Sequence, residues 1–377
     1  MKKSARSWRL VLLVAGALAI PALALAVAGC GGSTAGANGT PAPAISGFTP
    51  QPMSADTILG AGASFPAPLY MKWGSDYNGV SGVKLNYQSI GSGGGISAIE
   101  AKTVDFGASD APLEQAELEA KGLAQFPMVV GGVVLVVNLD GVADGQLKLT
   151  PDLVAGIFIG AVTTWNDPAI VKLNPGVKLP STKINVVHRS DGSGTTWILT
   201  HYMTDAAGSV WTAGADKEIA WPVGVGGKGN EGVAASVQQL SGSIGYVEYA
   251  YAKQTGMTTA QVQNKAGQWV KPSIASFAAA AANADWQGSL PSMYMVLVNQ
   301  PGAETWPITG ASFILVQKDQ ADAARGKAAL ELFDWAYTSG ADGATVLDYV
   351  AIPANVYELV QSDVWPTITV SGTPVWP

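Results

Sequence analysis

The chain is short of the residues that usually betray a function. Its 377 residues include one cysteine, so no intramolecular disulfide can form, and with two histidines a Cys/His zinc site is excluded. Charged residues make up 13% of the sequence, too few for a coiled coil or a disordered chain. Basic residues are outnumbered, 21 against 28 acidic, for a net charge of −7. That balance excludes nucleic acid as a partner, because phosphate backbones need a basic surface. No serine sits in a Gly-x-Ser-x-Gly elbow, no Walker A sequence is present, and no carboxylates have EF-hand spacing. What is there is apolar and rich in turns: 48% apolar residues, 45 Gly and 22 Pro, in a length that suits two ordinary domains.

The N-terminus carries Lys2, Lys3, Arg6 and Arg9, then an uncharged, mostly apolar run from Leu10 to Gly29. The run ends in Val27-Ala28-Gly29-Cys30. Small residues directly before a lone cysteine resemble a bacterial lipobox, with residues 1–29 as a lipoprotein signal peptide. The other reading of the same run is a retained membrane anchor, since about 20 apolar residues can span a bilayer. Cleavage predicts lipidation at Cys30 and attachment to a membrane surface. It removes four basic and no acidic residues, so 17 basic and 28 acidic remain, a net charge of −11. Residues 30–54 read as a flexible tether, because 31–54 are uncharged and rich in Gly, Ala, Ser, Thr and Pro. Its root-mean-square reach is about 25–30 Å.

From Thr57 onward, strand and helix patterns alternate. Val83, Leu85 and Tyr87 alternate with polar residues as in a half-buried strand, and Ile96–Lys102 reads as helix. Val129–Val137 suits a fully buried strand. Thr150-Pro151 opens a helix, with Thr150 as N-cap. Ile184–His188, Ile244–Glu248 and Phe313–Val316 read as strands, and Thr195–Tyr202, Gly232–Leu240 and Gln320–Tyr337 as helices. The alternation predicts α/β layers with largely parallel sheets.

Three segments share one construction: Gly60-Ala61-Gly62-Ala63-Ser64-Phe65-Pro66, Gly91-Ser92-Gly93-Gly94-Gly95-Ile96 and Asp191-Gly192-Ser193-Gly194-Thr195-Thr196. Each follows a strand pattern and precedes a helical one. Helix N-termini offer unpaired N–H groups and a partial positive charge, glycines let an oxyanion reach them, and hydroxyls add donors. One such loop is an ordinary capped helix; three together point to an anion. Arg189, beside the third loop, offers a planar fork of donors, with Asp191 placed to pair with it. Asp110 ends a predicted strand, as a turn residue or as an acceptor for a protonated oxyanion.

These loops, with Phe106-Gly107-Ala108-Ser109-Asp110-Ala111-Pro112 and Gly226-Gly227-Lys228-Gly229-Asn230-Glu231-Gly232, resemble the periplasmic phosphate-binding proteins that feed high-affinity phosphate ABC transporters. The likeness runs from about Thr57 to Val350 and includes Thr164-Trp165-Asn166-Asp167, Leu173-Asn174-Pro175-Gly176, Gly245-Tyr246-Val247-Glu248-Tyr249-Ala250-Tyr251 and Trp306-Pro307-Ile308-Thr309. It implies an α/β, two-lobed, type II periplasmic-binding-protein-like fold, with a ligand cleft between the lobes and two crossing hinge strands. Lobe one would hold 55–137 and 308–377, and lobe two 138–307. Position by position, the likeness assigns phosphate contacts to Ala63, Ser64, Phe65, Ser92, Asp110, Arg189, Ser193, Gly194 and Thr195, with Asp191 as partner of the arginine. It implies no catalytic residue, metal or cofactor. The implied partners are inorganic phosphate and the membrane subunits of an ABC importer, for a monomer held to the membrane and facing the periplasm or the cell exterior.

Other readings are open on the residues alone. Gly224-Val225-Gly226-Gly227-Lys228-Gly229 fits a dinucleotide-binding fingerprint, but no long strand pattern precedes it. A serine triad would need His188 or His201. Another oxyanion, such as sulfate or molybdate, would suit the loops; Asp110 argues against sulfate, which has no proton to give a carboxylate. An ectodomain that kept the fold and lost the ligand is the remaining alternative.

Overall fold

The computed structural model describes residues 55–376; the expected leader, Cys30 and the tether lie outside the described residues. The chain opens with β1 (Thr57–Gly62), α1 (Ala67–Ser81), β2 (Lys84–Ser89), α2 (Ser92–Glu100), β3 (Phe106–Ser109) and α3 (Gln115–Lys121). β1 pairs in parallel with both β2 and β3, so this first half of the sheet is a parallel α/β unit. The long β4 (Leu123–Asn138) follows; all but its last residue are buried, which its near-continuous apolar run requires.

A second parallel unit is built from β5 (Lys148–Leu149), α4 (Pro151–Phe158), α5 (Pro168–Leu173), β6 (Asn185–Arg189), α6 (Gly194–Ala206), β7 (Val225–Gly227), α7 (Gly229–Gln239), β8 (Ser243–Glu248) and α8 (Tyr249–Gln254). In it, β6 pairs in parallel with β7 and β8. β9 (Thr258–Thr259), β10 (Gln261–Gln263), β11 (Trp269–Val270) and α9 (Ile274–Ala281) lead out of it. The chain returns through β12 (Thr309–Gln317), α10 (Ala323–Thr338), α11 (Ala341–Val346) and β13 (Val350–Ala351).

The main sheet runs β2-β1-β3-β12-β4-β8-β6-β7. Its ends are parallel, as the alternating pattern predicts, but its middle is antiparallel: β12 with β3, β12 with β4, and β4 with β8. The two central strands come from crossovers between the halves rather than from strand–helix–strand units, and no local pattern encodes that. β4 changes partner midway. Up to Gly132 it pairs with β12, and from Val133 onward with β8. The return of the chain lies beside that point, where the Val133 N–H donates to Ile308 O at 2.8 Å and Trp306 Nε1 donates to Val133 O at 2.9 Å. Pro127 is tolerated inside β4 because the register with β12 shifts between Ser312 and Phe313.

Three helices begin earlier than their sequence patterns suggest. α2 takes in Gly93, Gly94 and Gly95, α7 starts at Gly229, and α6 includes Gly194. Glycine has poor helix propensity, so these first turns are held by tertiary contact. α10 begins three residues later than predicted, because the Asp322 carboxylate caps it by accepting from the Ala324 and Arg325 N–H groups. Thr150 caps α4 as expected. Residues 369–374, unassigned in the sequence, form a hairpin that pairs Thr369 with Pro374 and rests on Lys318.

Candidate functional site

Four helices, α1, α2, α6 and α7, turn their N-termini toward one buried point where the two halves of the sheet meet. Each follows a strand at its carboxyl end (β1, β2, β6, β7), the position where open α/β sheets place ligands. Gly91, at φ +84°, lets the second loop reach the third, and a Cβ there would stand 2.3 Å from Asp191 Oδ2. The Gly93 N–H donates across the junction to Gly192 O at 2.9 Å.

Arg189 leaves β6 on the side facing the site, with its side chain 1% exposed. Nε and Nη2 donate to the two Asp191 oxygens at 2.8 and 2.5 Å, a bidentate pair, and Nη1 donates to Thr195 Oγ1 at 3.2 Å. Burial alone would raise the Asp191 carboxyl; the Arg189 hydrogen bonds and charge and the Gly229 N–H outweigh it and bring the group below its ordinary range. On the same strand, His188 turns the other way and stacks on Trp221, with ring centroids 5.2 Å apart. His201 packs on Trp197, with centroids 3.9 Å apart.

The hydroxyls gather at the same point. Ser92 Oγ accepts from the Asp110 N–H at 3.2 Å and the Gly194 N–H at 3.0 Å. Ser193 Oγ accepts from the Thr196 N–H at 3.1 Å, which makes it the N-cap of α6. Ser64 Oγ and Thr195 Oγ1 both meet Asn230, at 2.9 and 3.2 Å from its Nδ2. The N–H groups of Ser64, Phe65, Ser92 and Thr195 have no acceptor among the described residues. Two others are spent: Ala63 N–H on Ala108 O at 2.9 Å, and Ser193 N–H on Lys217 O at 3.0 Å. Ala63 therefore shapes the first loop rather than offering a donor.

The Asp110 carboxylate stands at the same point, linked to it through Ser92. It is 1% exposed, its Oδ1 has no hydrogen-bond partner among the described residues, and Oδ2 lies 3.5 Å from Ser92 Oγ. Burial pushes its pKa up to about 7, against the opposing pull of the Ser312 hydroxyl, the Arg189 charge and Ser92.

Sequence reading missed the layer behind these contacts. Three tyrosines clasp the carbonyls of the first loop. Tyr87 donates to Ala63 O at 2.6 Å, Tyr251 to Ser64 O at 2.7 Å, and the Tyr349 hydroxyl lies 2.6 Å from Phe65 O. The same Tyr349 hydroxyl lies 2.8 Å from Glu248 Oε2. One proton cannot serve both acceptors. Burial holds the fully buried Glu248 carboxyl well above its ordinary range. Asn230 stands in the Gly226–Gly232 segment, and its separation from the other loops, 35 residues from Thr195, gives no local signal. Among the described residues, no group of three His, Cys, Asp or Glu is placed to hold a metal ion.

A crossed α/β sheet with a buried, donor-lined point at its junction is the arrangement of a solute-binding domain. Residues 49–339 match the family model described as a PBP superfamily domain. The chain is 52% identical over 307 residues to the phosphate-binding protein PstS of Xylella fastidiosa strain 9a5c, covering 81% of this chain and 84% of that protein. It is 52% identical to PstS of Pasteurella multocida, covering 85% and 94%. The chain belongs to the PstS family of phosphate-binding proteins. Solved structures share its fold at lower identity. A high-affinity periplasmic phosphate-binding protein bound with phosphate matches at TM-score 0.67 and 22% identity, over 81% of this chain and 93% of that one. A phosphate-binding protein from Stenotrophomonas maltophilia matches at 0.62 and 20%, over 81% and 93%.

Proposed function

We propose that this protein captures inorganic phosphate outside the cytoplasm and delivers it to the membrane subunits of an ABC importer. It is a binding protein and not an enzyme. One observation carries the choice of ligand: buried donors around Arg189 stand beside a buried carboxylate oxygen, Asp110 Oδ1, that has no hydrogen-bond partner among the described residues. Hydrogenphosphate supplies unprotonated oxygens for the donors and a proton for the acceptor. Sulfate supplies only the former. In this reading Ser64, Phe65, Ser92, Arg189, Ser193 and Thr195 hold the ion, Gly194 ties the third loop to Ser92 and leaves the room they need, Asp110 reads its proton, and Asp191 fixes the arginine. Local N–H and O–H donors do the binding, so a negatively charged protein can hold an anion.

The lobes of this reading are the two parallel units, and the hinge is the pair of crossings at Gly132–Val133 and Ile308–Thr309. The lipobox resemblance adds that Cys30 anchors the protein to the membrane facing the periplasm or the cell exterior, and the family resemblance adds that it works as a monomer. No helix among the described residues is long and apolar enough to cross a membrane.

Isothermal titration of the purified protein with phosphate and with sulfate tests the assignment. A site built around a hydrogen bond its analogue cannot make rejects that analogue by up to about 10⁴-fold, and the fraction of Asp110 still in the acid form limits this near neutral pH. Phosphate should bind tightly and sulfate more weakly by at least about tenfold at pH 8. Equal affinities would remove the assignment.

A further inference from the structure

We propose that Asn230 is a positioning residue that fixes which way the hydroxyl protons of the site point, and thereby forces the protonated oxygen of the bound ion onto Asp110. The proposal rests on the phosphate reading and deepens it.

A hydroxyl has one proton to give and two lone pairs to receive. Ser64 Oγ receives two hydrogen bonds from Asn230, one from its backbone N–H at 3.1 Å and one from Nδ2 at 2.9 Å. Thr195 Oγ1 also receives two, from Asn230 Nδ2 at 3.2 Å and Arg189 Nη1 at 3.2 Å. With their acceptor capacity filled, both hydroxyls can only donate, and neither has a protein acceptor for its proton among the described residues. The direction depends on the Asn230 amide standing one way round. Its Oδ1 accepts from the Glu248 N–H at 2.8 Å, which fixes that orientation. Asn230 is fully buried, so water does not compete for its amide.

The consequence falls on the ligand. An oxygen that meets Ser64 or Thr195 must accept, and a proton carried by that oxygen finds no acceptor there. Arg189 imposes the same demand on its side, since a guanidinium only donates. The one group able to receive a proton from the ion is Asp110. The site thus selects a tetrahedral oxyanion that has bare oxygens on one side and a protonated oxygen on the other, and it sets which way round that ion sits. Nothing in the sequence around Asn230 announces this role, because it acts through two hydroxyls on other loops.

A double-mutant cycle on phosphate affinity tests it. Ser64→Ala in the wild-type background removes a donor to an anion and is expected to cost roughly 10- to 100-fold. Asn230→Asp turns the two hydroxyls inward, toward a carboxylate that accepts, so phosphate affinity at pH 8 should fall by about 100-fold or more. In that background Ser64→Ala should cost less than about threefold, because the Ser64 proton no longer faces the ion. Relative to wild type, Asn230→Asp should also regain affinity as the pH falls and its new carboxyl takes up a proton and can donate again. Equal cost of Ser64→Ala in both backgrounds, or parallel pH profiles, would overturn the proposal. If Asn230→Asp yields no folded protein by circular dichroism, Asn230→Ala carries the same cycle. Both hydroxyls are then free to turn, and Ser64→Ala should cost at most about a third of its wild-type factor; an unchanged factor overturns the proposal. A wild type that binds no phosphate overturns the functional reading itself, a result distinct from an additive cycle in a protein that does bind.

Discussion

Burial pushes the Asp110 carboxyl up to about 7, so near neutral pH it is a mixture of acid and carboxylate. The two forms favour different ligands. The carboxylate receives a proton from phosphate, whereas the neutral acid can donate one to sulfate. Discrimination should therefore weaken as the pH falls. Above pH 7 the acid fraction shrinks tenfold per unit, so sulfate affinity should rise by about tenfold for each unit that the pH drops toward 7, then level off below it. In Asp110→Asn that slope should vanish. Competitive titration of both anions between about pH 5.5 and 8.5 measures it, and a flat sulfate profile in wild type would show that the Asp110 proton plays no part in selection. The same shift bears on stability. A carboxyl whose folded pKa is raised favours the native state at low pH, and that contribution is lost as the pH rises from about 4 through 7. Glu248, held well above its ordinary range by burial, acts in the same direction.

The loops that join strand to helix work only because their glycines leave room. A Cβ on Gly194 would stand 2.4 Å from the Asp110 Cβ and 2.6 Å from its Oδ2. Those atoms belong to a buried residue at the end of β3, which cannot step aside. Gly194→Ala should then push the first turn of α6 off the Asp110 loop and break the Ser92–Gly194 bond. The expected result is a loss of phosphate affinity of roughly 100-fold or more with a smaller fall in melting temperature, read by titration and thermal denaturation. Affinity within threefold of wild type would mean the two loops need not touch. At this scale the sequence was informative where a signal is local. The three Gly/Ser loops, the Thr150 cap and the buried run of β4 were visible because capping, periodicity and glycine all act within a few residues. The helical first turn of Gly93-Gly94-Gly95 was not, since its propensity is poor and its support comes from β1 and β3. Nor were the tyrosine clasps on Ala63, Ser64 and Phe65, or the part played by Asn230, whose partners lie far away along the chain. Ala63 was expected to offer a donor; its N–H turned out to be engaged by Ala108.

Across the described residues, two parallel units share the crossings at Gly132–Val133 and Ile308–Thr309, and the proposed phosphate site lies between them. Several bonds at the site span the units, among them Asn230 to Ser64, Gly194 to Ser92 and Gly93 to Gly192. An ion that bonds to both sides adds to the same set, so phosphate should favour the closed arrangement. Small-angle scattering is expected to show a smaller radius of gyration in saturating phosphate than without it. An unchanged radius would count against hinge closure. The lobes, largely implied by resemblance rather than read from periodicity, depend on how β4 divides its partners between β12 and β8, and pairing over such separations leaves no local trace in composition.

The position of β12 in the middle of the sheet has a consequence for the order in which the molecule can come into being. β3 and β4 are made early, but the strand that lies between them is residues 309–317. While the chain is being made from its N-terminus, the first α/β unit has an open seam, and β3 lacks its inner neighbour until most of the polypeptide has appeared. The second unit has all its parallel strands much sooner. The half that starts the chain is therefore the last to close, and a chain cut short before Thr309 leaves its first half with a bare inner edge.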